Sequence, residues 1–362
     1  MQPLTVILSP PSPRLGGVLE AALSAAGAPA EVFPAAGPYP GLAGRRVLFA
    51  LSVGENGMDA DAAALLLHLR SHPDAMEGCV AAMLIDGAGE LYTKQLSHML
   101  AFAANRAGCT FPGKPLVEAT GSLKNWAVQA GRRGVSEEEA YRQSAVELVK
   151  RLMAFSAPRA SHPSLLMLHA SDRATSNTLS IGRGLLSRLE PHLSATELSL
   201  QNGTVEDCRG CSYKACRHFA RQNSCFYGGS IVSEVYPAIL KADALLLLCP
   251  NYNDSVSANI MACINRLTSL LVYNTLYQKY LYAVVVSGYS GGDLVAQQVL
   301  GALCLNKTFM LPPRFALLET ANDPGDALRA PGIEGRMDAF AASMLQTMAG
   351  GPRPARLNCE KL

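Results

Sequence analysis

Hydroxyl, amide and guanidinium groups crowd one turn in the second half of the chain. The turn reads ASDRATSNT (170–178) and leads from an apolar run directly into a helical pattern. A helix N-terminus has unpaired N–H groups and a partial positive charge, so these side chains would form a cradle for a phosphate group. The simpler interpretation is a helix cap, because Ser, Asn and Thr are common capping residues. The turn alone does not separate the two.

Two further turns carry groups suited to a flat ligand. The first reads PNYNDSVS (250–257) and the second SGYSGGD (287–293), and each follows an apolar run of strand length. Asparagine amides would bind the polar edge of such a ligand, Tyr252 and Tyr289 would pack against its ring, and glycines would let the backbone approach closely. Each turn by itself also fits an ordinary polar or glycine turn.

Four cysteines lie within eighteen residues in a C-x2-C-x4-C-x8-C array. They are Cys208, Cys211, Cys216 and Cys225. Four thiolates at this spacing predict a metal centre, either a 4Fe–4S cluster or tetrahedral zinc, with His218 as an alternative ligand. Two other interpretations stay open: reduced cysteines that shape a long loop, or a redox-active thiol pair.

The elements that would position these turns alternate between short apolar runs and longer amphipathic stretches, which predicts an α/β fold with parallel sheets. Such doubly wound sheets bind ligands where loops at the carboxyl ends of central strands converge. In the second half the predicted strands are 164–169, 196–200, 244–249, 281–287 and 314–318. The predicted helices are 176–190, 231–241, 256–272, 291–305 and 335–348.

The first half repeats this plan. Its predicted strands are 4–8, 30–33, 46–51, 80–85 and 115–119, and its last helix opens with a capping box from Ser136 to Glu139. Residues 81–100 align in sequence with residues 283–302. Each segment reads as a buried strand, a Gly-rich turn and a helix, which indicates a duplication. The fold class is therefore two tandem doubly wound sheets of five parallel strands each, with helices on both faces.

A Pro-containing stretch, SAPRASHPS (156–164), is the predicted linker between the halves. In place of the cradle, the first half has SPPSPRLG (9–16), whose prolines cannot donate hydrogen bonds, and Glu55, Asp86 and Glu90 would repel a phosphate. We therefore expect no ligand site there. The predicted organisation is a degenerate domain at 1–155, a ligand-binding domain at 165–349 with a Cys-rich insertion at 201–228, and a flexible tail at 350–362.

The second half resembles the NAD(P)H-dependent FMN reductases of the flavodoxin-like superfamily, which include the iron–sulfur flavoproteins. The resemblance covers roughly residues 164–320. In that family the first turn carries Gly-Ser-Pro-Arg and then Ser-Asn-Thr, and Ala170 and Asp172 depart from this pattern. The resemblance implies phosphate contacts from the residues at matching positions, which are Ser171, Arg173, Ser176, Asn177 and Thr178.

The other two turns carry the resemblance further. A Pro and an aromatic residue followed by Ser-Val-Ser-Ala (255–258) are similar to the family's second turn, and a Gly-Gly pair is similar to its third. Together with our own assignment of the amide and backbone groups, this predicts flavin contacts from Pro250, Asn251, Tyr252, Asn253, Ser287, Gly288, Tyr289, Gly291 and Gly292. The iron–sulfur flavoproteins also have a compact cysteine array at the corresponding place, with shorter spacings after the second cysteine.

The resemblance implies an FMN-dependent oxidoreductase that takes electrons from NAD(P)H, as a transient donor, and passes them to a small-molecule or protein acceptor. A bound flavin carries out the hydride chemistry itself, so no catalytic acid or base is assigned. Two alternatives stay open: an electron-transfer flavoprotein without NAD(P)H activity, and a flavin-free scaffold.

Composition limits the partners and the cellular location that we expect for this protein. The formal net charge is only +2, no run of Lys and Arg occurs, and a single Trp is present, so a nucleic-acid partner is not expected. No apolar run approaches the ~20 residues needed to cross a bilayer. We expect a cytoplasmic protein without a membrane partner, and a homo-oligomer stays open.

Overall fold

The computed structural model describes residues 3–57, 59–171, 175–190, 192–201 and 205–349. By the density of its internal contacts, the chain divides into two compact units. Unit 1 comprises Met1–Ser156 with Cys304–Asn306 and Leu311–Arg314, and unit 2 comprises the remainder from Ala157 onwards. The predicted tail at 350–362 lies outside the described residues.

Unit 1 contains a sheet of five parallel strands in the order β2-β1-β3-β4-β5. Its strands are β1 (Leu4–Leu8), β2 (Ala30–Pro34), β3 (Arg46–Val53), β4 (Val80–Gly87) and β5 (Leu116–Ala119). Its helices are α1 (Pro13–Ala26), α2 (Ala60–Ser71), α3 (Thr93–Arg106), α4 (Ala127–Arg133) and α5 (Glu137–Ala154).

Unit 2 repeats this topology, with five parallel strands in the order β10-β9-β8-β6-β7. Its strands are β6 (Ser164–His169), β7 (Ser194–Ser199), β8 (Ala244–Pro250), β9 (Tyr280–Ser287) and β10 (Ala316–Thr320). Its helices are α6 (Asn177–Leu189), α7 (Tyr213–Ala220), α8 (Tyr236–Lys241), α9 (Ala258–Leu270), α10 (Gly292–Leu300), α11 (Asp326–Arg329) and α12 (Ile333–Ala349). The predicted fold class, two tandem five-stranded parallel sheets with helices, is confirmed.

The central strands form the core because apolar side chains point to both faces of a parallel sheet that helices cover. All eight residues of β9 are buried. Two of the predicted helices, 231–241 and 291–305, are partly π-helical. The π-helical segments are Ile231–Val235, before α8, and Gly301–Leu305, after α10. The strand predicted at 314–318 is displaced by two residues, to β10.

Side-chain caps begin several helices where the sequence predicts them. The Ser136 hydroxyl accepts a hydrogen bond from the Glu139 N–H at 3.2 Å and so caps α5. The Glu139 carboxylate, however, accepts from Arg142 and Gln143 at 2.7 and 2.8 Å, because these residues lie one turn further along the same helix face. No helix in the described part of the chain is long and apolar enough to cross a membrane.

Candidate functional site

A cavity of about 860 Å³ lies at the carboxyl end of the unit 2 sheet. Doubly wound sheets place the ends of their central strands on one edge, and the turns after β6, β8 and β9 meet there. Ten of the residues singled out from the sequence line it: Ser171, Ser176, Asn177, Thr178, Pro250, Asn251, Tyr252, Asn253, Gly288 and Tyr289.

The first turn ends in a capped helix. Ser176 is the N-cap of α6, and its hydroxyl accepts from the Leu179 N–H at 3.3 Å and lies 3.0 Å from the Ser171 hydroxyl. The N–H groups of Asn177 and Thr178, the first two of the helix, have no intrahelical acceptor. The cap is therefore compatible with the predicted anion site, since it uses one N–H and leaves the first two available. Arg173, also predicted here, lies outside the described residues.

Asn177 has a different role from the one the sequence indicates. Its amide nitrogen donates to the Asp323 carbonyl at 2.9 Å, and its amide oxygen accepts from the Gly325 and Ala327 N–H groups at 2.9 and 3.3 Å. The side chain thus joins the start of α6 to the turn after β10. Its backbone N–H, not its side chain, remains available to a ligand.

The second turn is a tight hairpin. The N–H and carbonyl groups of Tyr252 and Ser255 pair at 3.0 and 3.2 Å, and the two residues between them, Asn253 and Asp254, have φ values of 53° and 58°. Asn and Asp tolerate this left-handed region better than other non-glycine residues do. The hairpin leaves the Tyr252 side chain 61% exposed at the cavity.

Asn251 connects the second turn to the third. Its amide nitrogen donates to the Ser290 carbonyl at 2.9 Å and to the Ser287 hydroxyl at 3.3 Å, and its backbone N–H donates to the Val286 carbonyl at 2.8 Å. Its side-chain oxygen is buried without a hydrogen-bond partner among the described residues. An unpaired buried acceptor costs roughly 1–3 kcal/mol, and this one belongs to a residue that lines the cavity.

The third turn lines the cavity through Gly288, Tyr289 and Ser290, and its other residues support the cavity from behind. Ser287 is buried, and neither it nor Gly291 or Gly292 contributes to the lining as described. Gly291 has a φ of 81°, which favours glycine, and a Cβ at this position would lie 2.0 Å from the Asp254 carboxylate, so a larger residue would strain the backbone and displace that side chain. Tyr289 projects from this turn and is 82% exposed.

A fourth turn, which follows β10, was missed by sequence reasoning. Residues from it and from neighbouring segments complete the lining: Ala170, Thr175, Gln201, Asp254, Val286, Ser290, Ala321, Asn322 and Pro324. The signal that could have found this turn is its sequence, ANDPG (321–325), which directly follows a strand of the same sheet and is rich in turn-forming residues.

The cysteine array does not form the predicted metal centre. Among the described residues, no three His, Cys, Asp or Glu side chains are grouped so as to hold a metal ion. Cys208 and Cys211 are exposed in irregular chain, whereas Cys216 and Cys225 are half-buried, Cys216 on α7. Burial raises the pKa of the Cys216 thiol. The 4Fe–4S and zinc predictions therefore receive no support from the structure.

A buried arginine on α9 holds both ends of the cysteine segment, residues 206–228. Arg266 is 2% exposed, and its guanidinium donates to the Glu206 carbonyl at 3.3 Å and to the Gly228 carbonyl at 2.6 Å. One residue earlier, the Asn265 amide donates to the Asp207 carboxylate at 2.9 Å. The segment is thus fixed by hydrogen bonds from the helix beneath it.

The equivalent turn of unit 1 is filled by its own side chains. Arg14 forms a salt bridge with the buried Asp86 at 2.8 Å and also donates to the carbonyls of Gly87 and Gly121 at 2.9 and 3.1 Å. The Ser12 hydroxyl, which caps α1, donates to the same carboxylate at 3.1 Å. An internal ion pair therefore lies where unit 2 has its first turn and cavity.

The parallel sheet, the capped helix at its carboxyl edge and the cavity beside it define a doubly wound α/β protein with a candidate ligand site. Residues 163–323 match the family model described as NADPH-dependent FMN reductase. This match lies mainly within unit 2 and confirms the resemblance predicted from the sequence. None of the curated proteins compared with the chain is significantly similar to it in sequence.

Solved structures similar to the chain include the following three proteins. RosB, determined with bound 8-demethyl-8-formylriboflavin-5'-phosphate, is 15% identical with a TM-score of 0.42, and the match covers 55% of this chain and 92% of RosB. An NAD(P)H:quinone oxidoreductase from Methanothermobacter marburgensis is 14% identical with a TM-score of 0.40, covering 51% and 96%. An FMN-dependent NADH-azoreductase from Bacillus anthracis str. Ames Ancestor, in complex with FMN, is 12% identical with a TM-score of 0.37, covering 50% and 99%.

Proposed function

We propose that unit 2 binds FMN in the cavity and catalyses electron transfer from NAD(P)H to a small-molecule or protein acceptor. The observation that carries this proposal is the convergence of three turns, after β6, β8 and β9, on one cavity of about 860 Å³ beside the N-terminus of α6. The match of residues 163–323 to the FMN reductase family supports the same function.

The phosphate end of FMN is assigned to the first turn. Two backbone N–H groups, those of Asn177 and Thr178, and the hydroxyls of Ser171 and Ser176 lie at the positive end of the α6 dipole. Hydroxyl and N–H donors at a helix N-terminus bind phosphate through charge-assisted hydrogen bonds. Arg173 is predicted to add a cation here.

The ring end is assigned to the second and third turns. The buried amide oxygen of Asn251 has no partner among the described residues, and the polar edge of an isoalloxazine carries both hydrogen-bond donors and acceptors. Pro250 and Gly288 line the same region, and neither presents a long side chain that would fill it. The exposed rings of Tyr252 and Tyr289 are available to pack against a flat ligand.

When bound, the flavin supplies the hydride and electron chemistry, so the chain needs only to bind, orient and expose it. Among the described lining residues, Asp254 carries the sole carboxylate. The carboxylate lies at the ring end, and the hydroxyl and N–H donors lie at the phosphate end. Because a carboxylate repels a phosphate and the donors attract it, FMN would bind with its phosphate at the first turn.

Purification of the full chain followed by absorption spectroscopy tests this function. We expect bound FMN, and rapid loss of the oxidised flavin bands when NADH or NADPH is added without oxygen. Flavin that binds but is not reduced by either nicotinamide would instead favour an electron-transfer protein. A colourless protein that does not take up added FMN would contradict the proposal and favour a scaffold.

A further inference from the structure

A buried histidine precedes the first turn and takes no part in lining the cavity. His169 is the last residue of β6 and is 3% exposed. Neither composition nor spacing marks it as functional, and a buried histidine is often no more than a satisfied core residue. Its hydrogen bonds, however, run directly to the turn assigned to the phosphate.

The hydrogen bonds of the imidazole fix which nitrogen carries the proton. The Ser171 N–H lies 3.2 Å from Nδ1 of His169, and a backbone N–H can only donate, so Nδ1 is the acceptor. The proton therefore resides on Nε2, which donates to the Glu197 carboxylate at 3.1 Å.

Glu197 is itself held from the neighbouring helix. Arg183 of α6 donates to both of its oxygens, at 2.8 and 3.3 Å, and these hydrogen bonds lower the pKa of the Glu197 carboxyl. The carboxylate thus stays ionised at neutral pH and remains an acceptor for Nε2. The chain of contacts joins β6, β7 and α6 at the point where the first turn begins.

We infer that His169 is a positioning residue that sets the backbone of Ser171 for phosphate binding. The imidazole contacts the turn at Ser171. The Ser171 hydroxyl lies 3.0 Å from the hydroxyl of Ser176, the N-cap of α6. Fixing the Ser171 N–H therefore fixes the hydroxyl pair beside the free helix N–H groups. This inference rests on the proposed function, since it assigns the phosphate end of the same site.

Two near-isosteric substitutions separate positioning from simple packing. In His169→Asn the side-chain oxygen lies near the position of Nδ1, so the variant keeps an acceptor for the Ser171 N–H and loses the contact with Glu197. In His169→Gln the amide lies near the position of Nε2, so the variant keeps the contact with Glu197 and loses the Nδ1 acceptor. Both remove the ring, and Asn leaves the larger gap, so a packing role would make His169→Asn the more damaging of the two.

The test measures FMN and riboflavin affinity of the full-length protein and of both variants by fluorescence titration. We expect His169→Gln to bind FMN roughly three- to tenfold more weakly, the effect of one lost hydrogen bond, while its riboflavin affinity is unchanged. His169→Asn should bind both ligands within about twofold of wild type. Equal FMN affinity in the two variants, or a riboflavin loss as large as the FMN loss, would overturn the inference.

Hydrogen exchange at the Ser171 amide gives a readout that needs no ligand. We expect protection to persist in wild type and in His169→Asn and to be lost in His169→Gln. If the wild-type protein binds neither FMN nor riboflavin, the proposed function fails. If both variants bind flavin with equal affinity, the proposed function stands and only the inference about His169 fails.

Discussion

At the scale of single residues, Asn251 contributes most to the ring end of the site. Its nitrogen ties two turns together while its oxygen remains buried without a partner among the described residues. The structure thus maintains a buried unpaired acceptor in a residue that lines the cavity, which costs free energy.

We expect Asn251→Ala to weaken FMN binding about tenfold, because the variant loses both the acceptor and the contact that holds the third turn. Isothermal titration or fluorescence quenching measures the change. Asn265→Ala is the matched control, since Asn265 bonds Asp207 on the cysteine segment and does not line the cavity. Equal losses in the two variants would contradict the assigned role of Asn251.

Gly291 sets the spacing between the second and third turns. Gly291→Ala forces a Cβ to within 2.0 Å of the Asp254 carboxylate at a φ of 81°, so we expect a loss of roughly 1–3 kcal/mol in the free energy of unfolding of unit 2, together with weaker FMN binding. Chemical denaturation measures the first effect. In Gly335→Ala the new Cβ, in α12, meets nothing within 4 Å, so this control should be neutral or stabilised by up to about 1 kcal/mol. A Gly291→Ala protein as stable as wild type would show that the turns move apart freely.

At the scale of elements, the cysteine segment is held by hydrogen bonds from α9. Arg266 is a buried cation whose Nε has no partner among the described residues and whose other nitrogens bond carbonyls at both ends of the segment. Burying a charged guanidinium with so few hydrogen bonds costs free energy. The bonds that it does make pair the carbonyls of Glu206 and Gly228, which would otherwise lack a partner from α9.

We expect Arg266→Met to release the segment. Hydrogen bonds from a charged donor stabilise by roughly 1.5–3 kcal/mol each, so the reaction of Cys216 and Cys225 with a thiol reagent should accelerate at least about tenfold. Arg209→Met is the control, because Arg209 lies on the segment itself, exposed, over the ring of Tyr227 at 5.2 Å. If thiol reactivity is unchanged in Arg266→Met, other contacts fix the segment.

The elements were predictable to different degrees, for physical reasons. The bounds of β1 and β6 follow from buried apolar runs that end at turn residues, and the start of α5 follows from its cap. The interruptions at 231–235 and 301–305 were not predictable, because a π-helical turn has the same amphipathic character as the helix around it.

At the scale of the whole molecule, the two units share a topology and differ in the turn that follows their first strand. In unit 1 the Arg14–Asp86 pair and the Ser12 hydroxyl occupy the first turn, whereas in unit 2 the corresponding turn leaves helix N–H groups available. We therefore keep the prediction that unit 1 binds no flavin.

FMN at a hundredfold excess over its dissociation constant should stabilise the unit that binds it by about 2.7 kcal/mol. Hydrogen exchange with mass spectrometry should then show slower exchange in β6, β8 and β9, with β1, β3 and β4 unaffected. Riboflavin, which lacks the phosphate, is the control and should protect less. Slower exchange in the strands of unit 1 alone would contradict the assignment of the site to unit 2.

The sequence by itself determined the alternation of strands and helices, the duplication, and the three turns after β6, β8 and β9. It could do so because hydrophobic period and turn residues are local, and because parallel strands bring their carboxyl ends to one edge. Only the tertiary structure decided the roles of Asn177, Arg14 and Arg266, whose partners lie between 38 and 150 residues away along the chain. Such pairs depend on where whole elements pack, as does the grouping of the cysteines, and no local spacing encodes that outcome.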